Sequence, residues 1–273
     1  MLKNIDIIAE IGWNHMGDIN LASKMIISAA KNGANICKFQ TWSEKKLIKG
    51  PWDDDGRREI YKKAQLSEDD HVKLISTCKE NNIEFLTSVF DIDSLSMLKN
   101  IGIKNIKIPS HEIHNVALIK KVCEKFDKIY ISAGASNWSE ILSLKNNIPI
   151  EKIIFMHCVS SYPCPSNIVN MPKLLELKKM FGSIGYSGHF QGIDDAIIAI
   201  CLGSVVVEKH FTIDNNLPGR DNEFAILPLE LKKLSEFRDN FKNMMIDKGL
   251  NLQESELDIF NHYRGRWSKN DQE

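Results

Sequence analysis

Short apolar segments alternate with longer amphipathic segments along most of the chain. The apolar segments are rich in β-branched residues, a composition typical of strands that are buried on both faces of a parallel sheet. These segments predict strands at Ile5–Ile11, Ile36–Gln40, Glu84–Ser88, Asn105–Ile108, Lys128–Ser132, Lys152–His157, Ser183–Ser187 and Ser204–Val207. Polar or charged residues follow nearly every one of them.

The segments between the strands carry apolar residues at helical spacing. In the first, Asp18 is a candidate N-cap, apolar residues recur from Ala22 to Ala30, and Asn32-Gly33 ends the helix. The last predicted helix is Pro228–Asp247. Strands that are joined by helices pair in parallel through right-handed crossovers.

This alternation predicts an α/β fold, a (β/α)8 TIM barrel, over residues 1–250 of the 273. Barrels of about 250 residues are common. A doubly wound open sheet is the alternative, but no G-x-G-x-x-G or P-loop motif follows the first strand. Thr41–Gln65 is predicted to be a loop insertion over the mouth. The charged tail, residues 251–273, is too short for a second domain.

Composition narrows the classes of protein to consider. A net charge of −1 argues against a nucleic-acid or membrane-surface partner. No apolar run approaches the roughly 20 residues that span a bilayer. The N-terminus lacks the features of a signal peptide, which predicts a cytoplasmic protein. The six cysteines are scattered without a C-x-x-C pair, so we expect reduced thiols.

The C-terminal ends of barrel strands converge on one pocket, where active sites lie. Glu208, Lys209 and His210 directly follow the last predicted strand. The other residues expected at the mouth are Glu10, Lys38, Gln40, Thr87, Ser88, Lys107, Ser110, Glu112, Ser132, Tyr162, Ser187, His189 and Asp221. Two lysines and several hydroxyl groups suit a compact polyanion, and two histidines near carboxylates suit a divalent metal with open positions.

Each of these residues also has an ordinary explanation when it is taken alone. His189 could be a structural histidine at a strand end, and Lys38 and Lys107 could be solvated surface lysines. His157 lies inside an apolar strand and is interpreted as structural, whereas His15 in the first loop is a secondary site candidate.

A series of motifs resembles the sialic acid synthase family, the phosphoenolpyruvate (PEP)-dependent nonulosonate synthases. The motifs run in order from Glu10 to Asp221: AEIGWNHMGD, CKFQT, KIPSHE, ISAGAS, SSYPCP, GYSGH and EKHFT…PGRD. The resemblance implies condensation of PEP with an open-chain amino sugar such as N-acetylmannosamine. It also implies Mn²⁺ or Mg²⁺, with a nine-carbon 2-keto acid and phosphate as products.

The resemblance also assigns roles by motif position. It implies that His189 and His210 are metal ligands, and that Glu208 orients or deprotonates a metal-bound water. Glu10, Tyr162 and Asp221 would face the sugar. The residues implied to contact PEP are Lys38, Thr87, Lys107, Ser110, Ser132 and Ser187. Gln40 and Glu112 complete the predicted substrate-binding set.

The sugar end of the pattern departs from the family. Members usually carry a C-terminal antifreeze-like domain that contributes an arginine to a partner's sugar site, and this chain stops soon after the barrel. Arg264 and Arg266 are candidate substitutes, or a homodimer or partner chain completes the site. Pro109 and His111 replace common glycines, Ser160 a common asparagine and Arg220 a usual proline.

Two alternative functions remain. One is PEP condensation with a phosphorylated pentose or hexose, which gives a shorter ulosonate. The other is a non-catalytic barrel that serves as a binding partner.

Overall fold

Eight parallel strands close into a barrel in the order of the sequence. The computed structural model describes residues 4–51 and 53–267. The strands are β1 Asp6–Glu10, β2 Ile36–Thr41, β3 Glu84–Val89, β4 Asn105–Ile108, β5 Lys128–Ser132, β6 Ile153–His157, β7 Ile184–Gly188 and β8 Val206–His210. The predicted (β/α)8 barrel is therefore confirmed.

Helices connect consecutive strands, and two more helices follow the last strand. They are α1 Ile19–Lys31, α2 Arg57–Ala64, α3 Glu68–Glu80, α4 Ser94–Asn100, α5 Val116–Lys125, α6 Trp138–Asn147, α7 Met171–Phe181, α8 Asp194–Cys201, α9 Pro228–Met244 and α10 Leu257–His262. Asp18 caps α1 as predicted, because its side chain accepts from the backbone N–H groups of Asn20 and Leu21. Within the described ranges, no helix is both long and apolar enough to cross a bilayer.

The interior of the barrel is divided into an apolar layer and a polar layer. Side chains of a strand alternate between its two faces, so every second residue points inward. The inward apolar residues form one buried cluster, which consists of Ile8, Ile36, Leu86, Tyr130, Met156 and Val206. The polar side chains that come two residues later on these strands lie above this cluster, toward the mouth.

Strand β8 is longer than the sequence analysis predicted. Glu208, Lys209 and His210 lie within the strand, and the prediction that they follow it is wrong. Their register is fixed by β1, where Ile8 pairs with Glu208 and Glu10 with His210. Lys209 points outward, and its ammonium lies 2.9 Å from the carboxylate of Asp195 on α8. The buried charge of Lys209 is therefore balanced by an ion pair.

The insertion that follows β2 is more ordered than a loop. It contains two short 3-10 turns, Glu44–Lys46 and Asp53–Asp55, and the helix α2. The cysteines are free thiols and five of the six are buried, as expected for reduced core residues.

Candidate active site

Two lysines and two carboxylates form the centre of the polar layer. The Lys38 ammonium lies 2.7 Å from Glu10 Oε2 and 3.6 Å from Glu208 Oε1. The Lys107 ammonium lies 2.5 Å from Glu208 Oε1. All four side chains are almost completely buried. Four strands that are distant in sequence thus bring four charged groups to one place.

Serine hydroxyls surround both lysines. Ser88 Oγ accepts a hydrogen bond from the Lys38 ammonium at 3.0 Å. Ser187 Oγ lies 3.3 Å from the Lys107 ammonium and donates to Glu208 Oε1 at 2.9 Å. Ammonium and hydroxyl donors that converge from several strands are the groups that bind a compact anion.

Three further hydroxyls lie around the same pocket. Ser110 Oγ and Ser160 Oγ are 2.9 Å apart. The Ser132 hydroxyl is buried and has no hydrogen-bond partner among the described residues. A buried hydroxyl without a partner is unfavourable, so Ser132 is a donor that a bound ligand can satisfy.

The pKa values indicate how the charges balance. Burial raises the pKa of Glu10 by more than the Lys38 charge lowers it. Burial would also raise the pKa of Glu208, but Lys107 and Lys38 outweigh it and hold this pKa below its usual value. Burial lowers the pKa of Lys107, whereas Glu10 and Glu208 raise that of Lys38 against the effect of burial. Of the two carboxyls, Glu10 is therefore the one more easily protonated, which would favour an added anion.

Thr87 does not belong to this cluster, contrary to the prediction. Its hydroxyl lies 2.7 Å from Thr41 Oγ1, which is 2.8 Å from His71 Nε2, on the helix side of the sheet. Leu86 belongs to the inward cluster, so alternation places Ser88 inward and Thr87 outward. Applying this alternation to β3 would have selected Ser88 from the sequence.

Gln40 and Glu112 have different locations. Gln40 Nε2 donates to Glu10 Oε1 at 2.5 Å, which places Gln40 in the cluster. Glu112 lies in a 3-10 turn after β4 and accepts from Asn115 Nδ2 at 3.0 Å. This bond supports the turn that leads into α5 and gives Glu112 a structural explanation.

Two histidines lie at the mouth, above the charged cluster. The ring centroids of His189 and His210 are 5.5 Å apart, and the half-exposed ring of Tyr162 packs 4.1 Å from His189. His189 Nδ1 donates to the Val159 carbonyl at 2.8 Å, which leaves Nε2 as the free nitrogen. Burial lowers the pKa of His189 to about 4 and that of His210 well below its usual value. Both rings are therefore neutral at pH 7, the form that binds metals.

The donor set fits a divalent metal that is held by two imidazoles. His210 Nδ1 is buried and makes no hydrogen bond within the part of the chain that is described. No group of three or more His, Cys, Asp or Glu side chains in residues 4–51 and 53–267 is arranged to hold a metal. A metal that is bound by the two histidines would therefore keep open positions for water or substrate.

Asp221 connects the histidines with the front of the pocket. Its Oδ2 lies 3.4 Å from His210 Nδ1. Burial and, to a lesser extent, the Glu10 charge raise the pKa of Asp221 to about 7, against the Trp13 indole, which lowers it. Sequence analysis did not single out Trp13, because a tryptophan beside a loop glycine carries no signal for a site.

The other two histidines of interest are structural. His157 Nε2 donates to the Val169 carbonyl at 2.8 Å, as its apolar strand indicated. His15 Nδ1 accepts from the Gly17 N–H at 3.1 Å and its ring packs 5.9 Å from that of Phe39. The secondary site candidate His15 therefore serves the fold of the first loop.

We expect His15 to make the protein sensitive to acid. Burial lowers its pKa to about 4, below the ordinary 6.5, so the unfolded chain binds the proton more tightly. The stabilisation from neutral His15 is fully present above pH 6.5 and decreases as the pH falls toward 4. By pH 5, about 2 kcal/mol of it has been lost. In denaturant titrations, the free energy of unfolding of His15→Asn should therefore fall less between pH 7 and pH 5 than that of the wild type. The exposed His114→Asn variant should behave like the wild type, and equal pH slopes in all three proteins would contradict the assignment.

Comparisons with known proteins identify the family. The NeuB family matches residues 25–249 of the chain. The N,N'-diacetyllegionaminic acid synthase of Campylobacter jejuni is 39% identical over 250 residues, which cover 85% of this chain and 75% of that protein. The N-acetylneuraminate-9-phosphate synthase of Drosophila melanogaster is 33% identical and is matched over 89% of this chain and 69% of its own length.

A solved structure agrees with these relatives. The sialic acid synthetase of Leptospira borgpetersenii, crystallised with citrate, superposes with a TM-score of 0.85 at 32% identity. The match covers 97% of this chain and 93% of that one. The barrel, the buried lysine and serine cluster and the sequence matches agree, and the chain belongs to the NeuB family of PEP-dependent condensing enzymes.

Proposed function

We propose that the protein condenses PEP with an open-chain amino sugar, similar to N-acetylmannosamine, to give a nonulosonic acid and phosphate. The observation that carries the proposal is the pair of buried lysines with their serine hydroxyls, directly below two neutral histidines. PEP is a compact polyanion, and these donors suit its phosphate and carboxylate groups.

Mn²⁺ or Mg²⁺ is the proposed cofactor, with His189 and His210 as its protein ligands. The neutral state of both rings and the free ring nitrogens support this assignment. When it is bound, such an ion supplies Lewis-acid polarisation of a carbonyl oxygen. The Asp221 carboxylate lies beside this position, 3.4 Å from His210 Nδ1.

The residues of the chain have the following proposed roles. Lys38 and Lys107 exchange their carboxylate partners for the anionic groups of PEP, because both ammonium groups are already paired in this structure. Glu208, whose pKa is held low by the lysines, is the base for the water that adds at C2 of PEP. Glu10 and Gln40 form a hydrogen-bonded pair that can orient the acceptor. Holding both substrates together can contribute several kcal/mol, on the order of 7–11 in well-oriented cases.

The deciding experiment measures phosphate release from PEP with Mn²⁺, with and without EDTA. The acceptors are N-acetylmannosamine, a diacetamido hexose and a panel of phosphorylated sugars. We expect release with an unphosphorylated amino sugar and its loss in EDTA, to be restored by excess Mn²⁺. Release with phosphorylated sugars alone would favour the phosphorylated-acceptor alternative. Folded protein that binds Mn²⁺ but releases no phosphate with any acceptor would contradict the proposal.

A further inference from the structure

Helix α2 lies directly on the first loop at the barrel mouth. Gly17 shows how closely they approach, because a Cβ atom at this position would lie 2.2 Å from the Lys63 carbonyl oxygen. Gly17 also has a φ of +83°, which a residue with a side chain rarely adopts. The first loop and α2 are therefore so close together that no side chain fits at position 17.

Helix α2 contributes one aromatic ring to a cluster at the mouth. The Tyr61 ring makes edge-to-face contacts with Trp13 at 5.2 Å and with Trp42 at 5.1 Å between centroids. The Trp42 indole donates to the Tyr61 carbonyl at 2.9 Å, which fixes the helix to the end of β2. Trp42 is buried, whereas Trp13 and Tyr61 are partly exposed and can contact a ligand.

This aromatic cluster lies next to Asp221. The Asn222 side chain, which follows Asp221, donates to the carbonyl of Asn14, next to Trp13, at 3.1 Å. The Trp13 indole N–H is buried and lies close enough to Asp221 to lower the pKa of its carboxyl. A second group of rings, Tyr162 and Phe224, stands 6.2 and 5.1 Å from the His210 ring, which adjoins Asp221. Asp221 therefore lies between the α2 cluster and this second aromatic group.

A salt bridge holds the α2 segment against the loop that carries Asp221. The Arg220 guanidinium donates to Asp55 Oδ2 at 3.1 Å, and Arg57 Nε lies 2.9 Å from the same oxygen. Asp55 ends the 3-10 turn just before α2, and Arg220 precedes Asp221. The Arg220–Asp55 salt bridge is partly exposed and contributes little to the free energy of folding. It links the segment just before α2 to the loop that carries Asp221.

We propose that Trp13 and Tyr61 are the specificity-determining wall of the acceptor site, where they pack on a methyl group of the acceptor sugar. This inference deepens the proposed function and rests on it. The deep cluster presents charged groups and hydroxyls, whereas the partly exposed rings at the mouth present an apolar surface. An N-acetylated amino sugar offers the methyl of its acetamido substituent, and a 6-deoxy sugar offers a terminal methyl. Both pack favourably on aromatic faces.

The test compares acceptors and variants in the same phosphate-release assay. The acceptors are N-acetylmannosamine, mannosamine and the 6-deoxy form of N-acetylmannosamine. For Tyr61→Ala we expect the acceptor KM to rise roughly 10- to 100-fold and the preference for the methyl-bearing acceptor to fall by a similar factor. The KM for PEP should change less than twofold. The acceptor whose advantage disappears identifies which methyl group the wall contacts.

Three more variants test whether the effect belongs to the wall. Gly17→Ala should displace α2 and reproduce the loss of preference with Tyr61 intact, whereas Tyr263→Ala, on the exposed C-terminal segment, should leave it unchanged. Tyr61→Gln keeps part of the bulk and the helix propensity without an apolar ring, and covers the case in which Tyr61→Ala unfolds. An unchanged preference in folded Tyr61→Gln and Gly17→Ala would overturn the proposal.

A binding measurement separates this inference from the proposed reaction. The change in tryptophan fluorescence on addition of N-acetylmannosamine, with mannosamine as the comparison, reports on binding without turnover, and Trp13→Phe identifies the contribution of Trp13 among the five tryptophans. A selective change that is lost in Tyr61→Gln would support the wall even if no acceptor released phosphate. No selective binding to a catalytically inactive wild-type protein would overturn both proposals, and selective turnover without Tyr61 dependence would overturn the wall alone.

Discussion

Lys107→Met should lower kcat/KM for PEP by roughly 10²- to 10³-fold, the range for removing one preorganised electrostatic donor. The Lys107 ammonium is buried, faces the barrel interior and has Ser187 and Glu208 as its partners. Methionine keeps most of the side-chain volume and removes the charge, so packing is retained. Glu208 then loses the nearer of its two lysines, so its pKa rises and its carboxylate is left buried with one ammonium partner fewer.

The comparison for this variant is Lys121→Met on α5, the helix that follows the Lys107 strand. Lys121 is half exposed and pairs with Glu124 on the surface, so its loss should leave kinetics and stability unchanged. Equilibrium dialysis with PEP separates a loss of binding from a loss of chemistry. A Lys107→Met enzyme that retains wild-type PEP affinity and kcat would show that the cluster is not the PEP site.

The sequence predicted the elements of the barrel because their pattern is local. Each buried strand is a short apolar run, and each helix has a periodic apolar face and a cap such as Asp18. The convergence of Lys38 and Lys107 follows from topology alone, since parallel strands of a closed barrel all end at one mouth.

The errors arose where long-range pairing decides the outcome. Burial of a charge depends on a partner that is distant in sequence. The local pattern therefore predicts that Glu208 and Lys209 follow the strand, whereas both lie within it and pair with Lys107 on β4 and Asp195 on α8. Thr87 and Ser88 are adjacent in the strand, so their side chains point to opposite faces of the sheet. Helix α2 is short and highly charged, and its position depends on contacts with Gly17 and Trp13 that no local pattern shows.

The buried ion pairs at the centre of the site also suggest how substrate binding is controlled. Lys38 and Lys107 are neutralised by Glu10 and Glu208 before any anion arrives, which keeps unpaired charges out of the interior. A ligand that replaces these carboxylates must supply comparable negative charge. A dianionic or trianionic ligand meets this condition better than a neutral sugar, which supports the proposal that PEP binds in the deep site and the acceptor at the mouth.

Asp195→Asn should destabilise the protein by about 3–5 kcal/mol, the usual cost of removing one partner from a buried ion pair. Asp195 accepts two hydrogen bonds from the Lys209 ammonium at 2.9 Å, and one from the Tyr186 hydroxyl at 3.0 Å. Both charged side chains are 2% exposed, so the Lys209 charge would remain in the protein interior without a carboxylate. Thermal unfolding should show a midpoint roughly 6–20 °C lower.

The neighbouring Asp194 provides the matched control, because it is exposed on the same turn of α8 and its replacement by asparagine should leave the unfolding midpoint unchanged. The double variant Asp195→Leu/Lys209→Met removes both charges and should recover much of the lost stability. This recovery would show that the cost arises from an unpaired charge. The network joins β7, β8 and α8 directly beside His189 and His210, so the single variant should also bind Mn²⁺ more weakly at temperatures where it remains folded. Equal stability of Asp195→Asn and Asp194→Asn would mean that Lys209 finds another partner or gives up its proton.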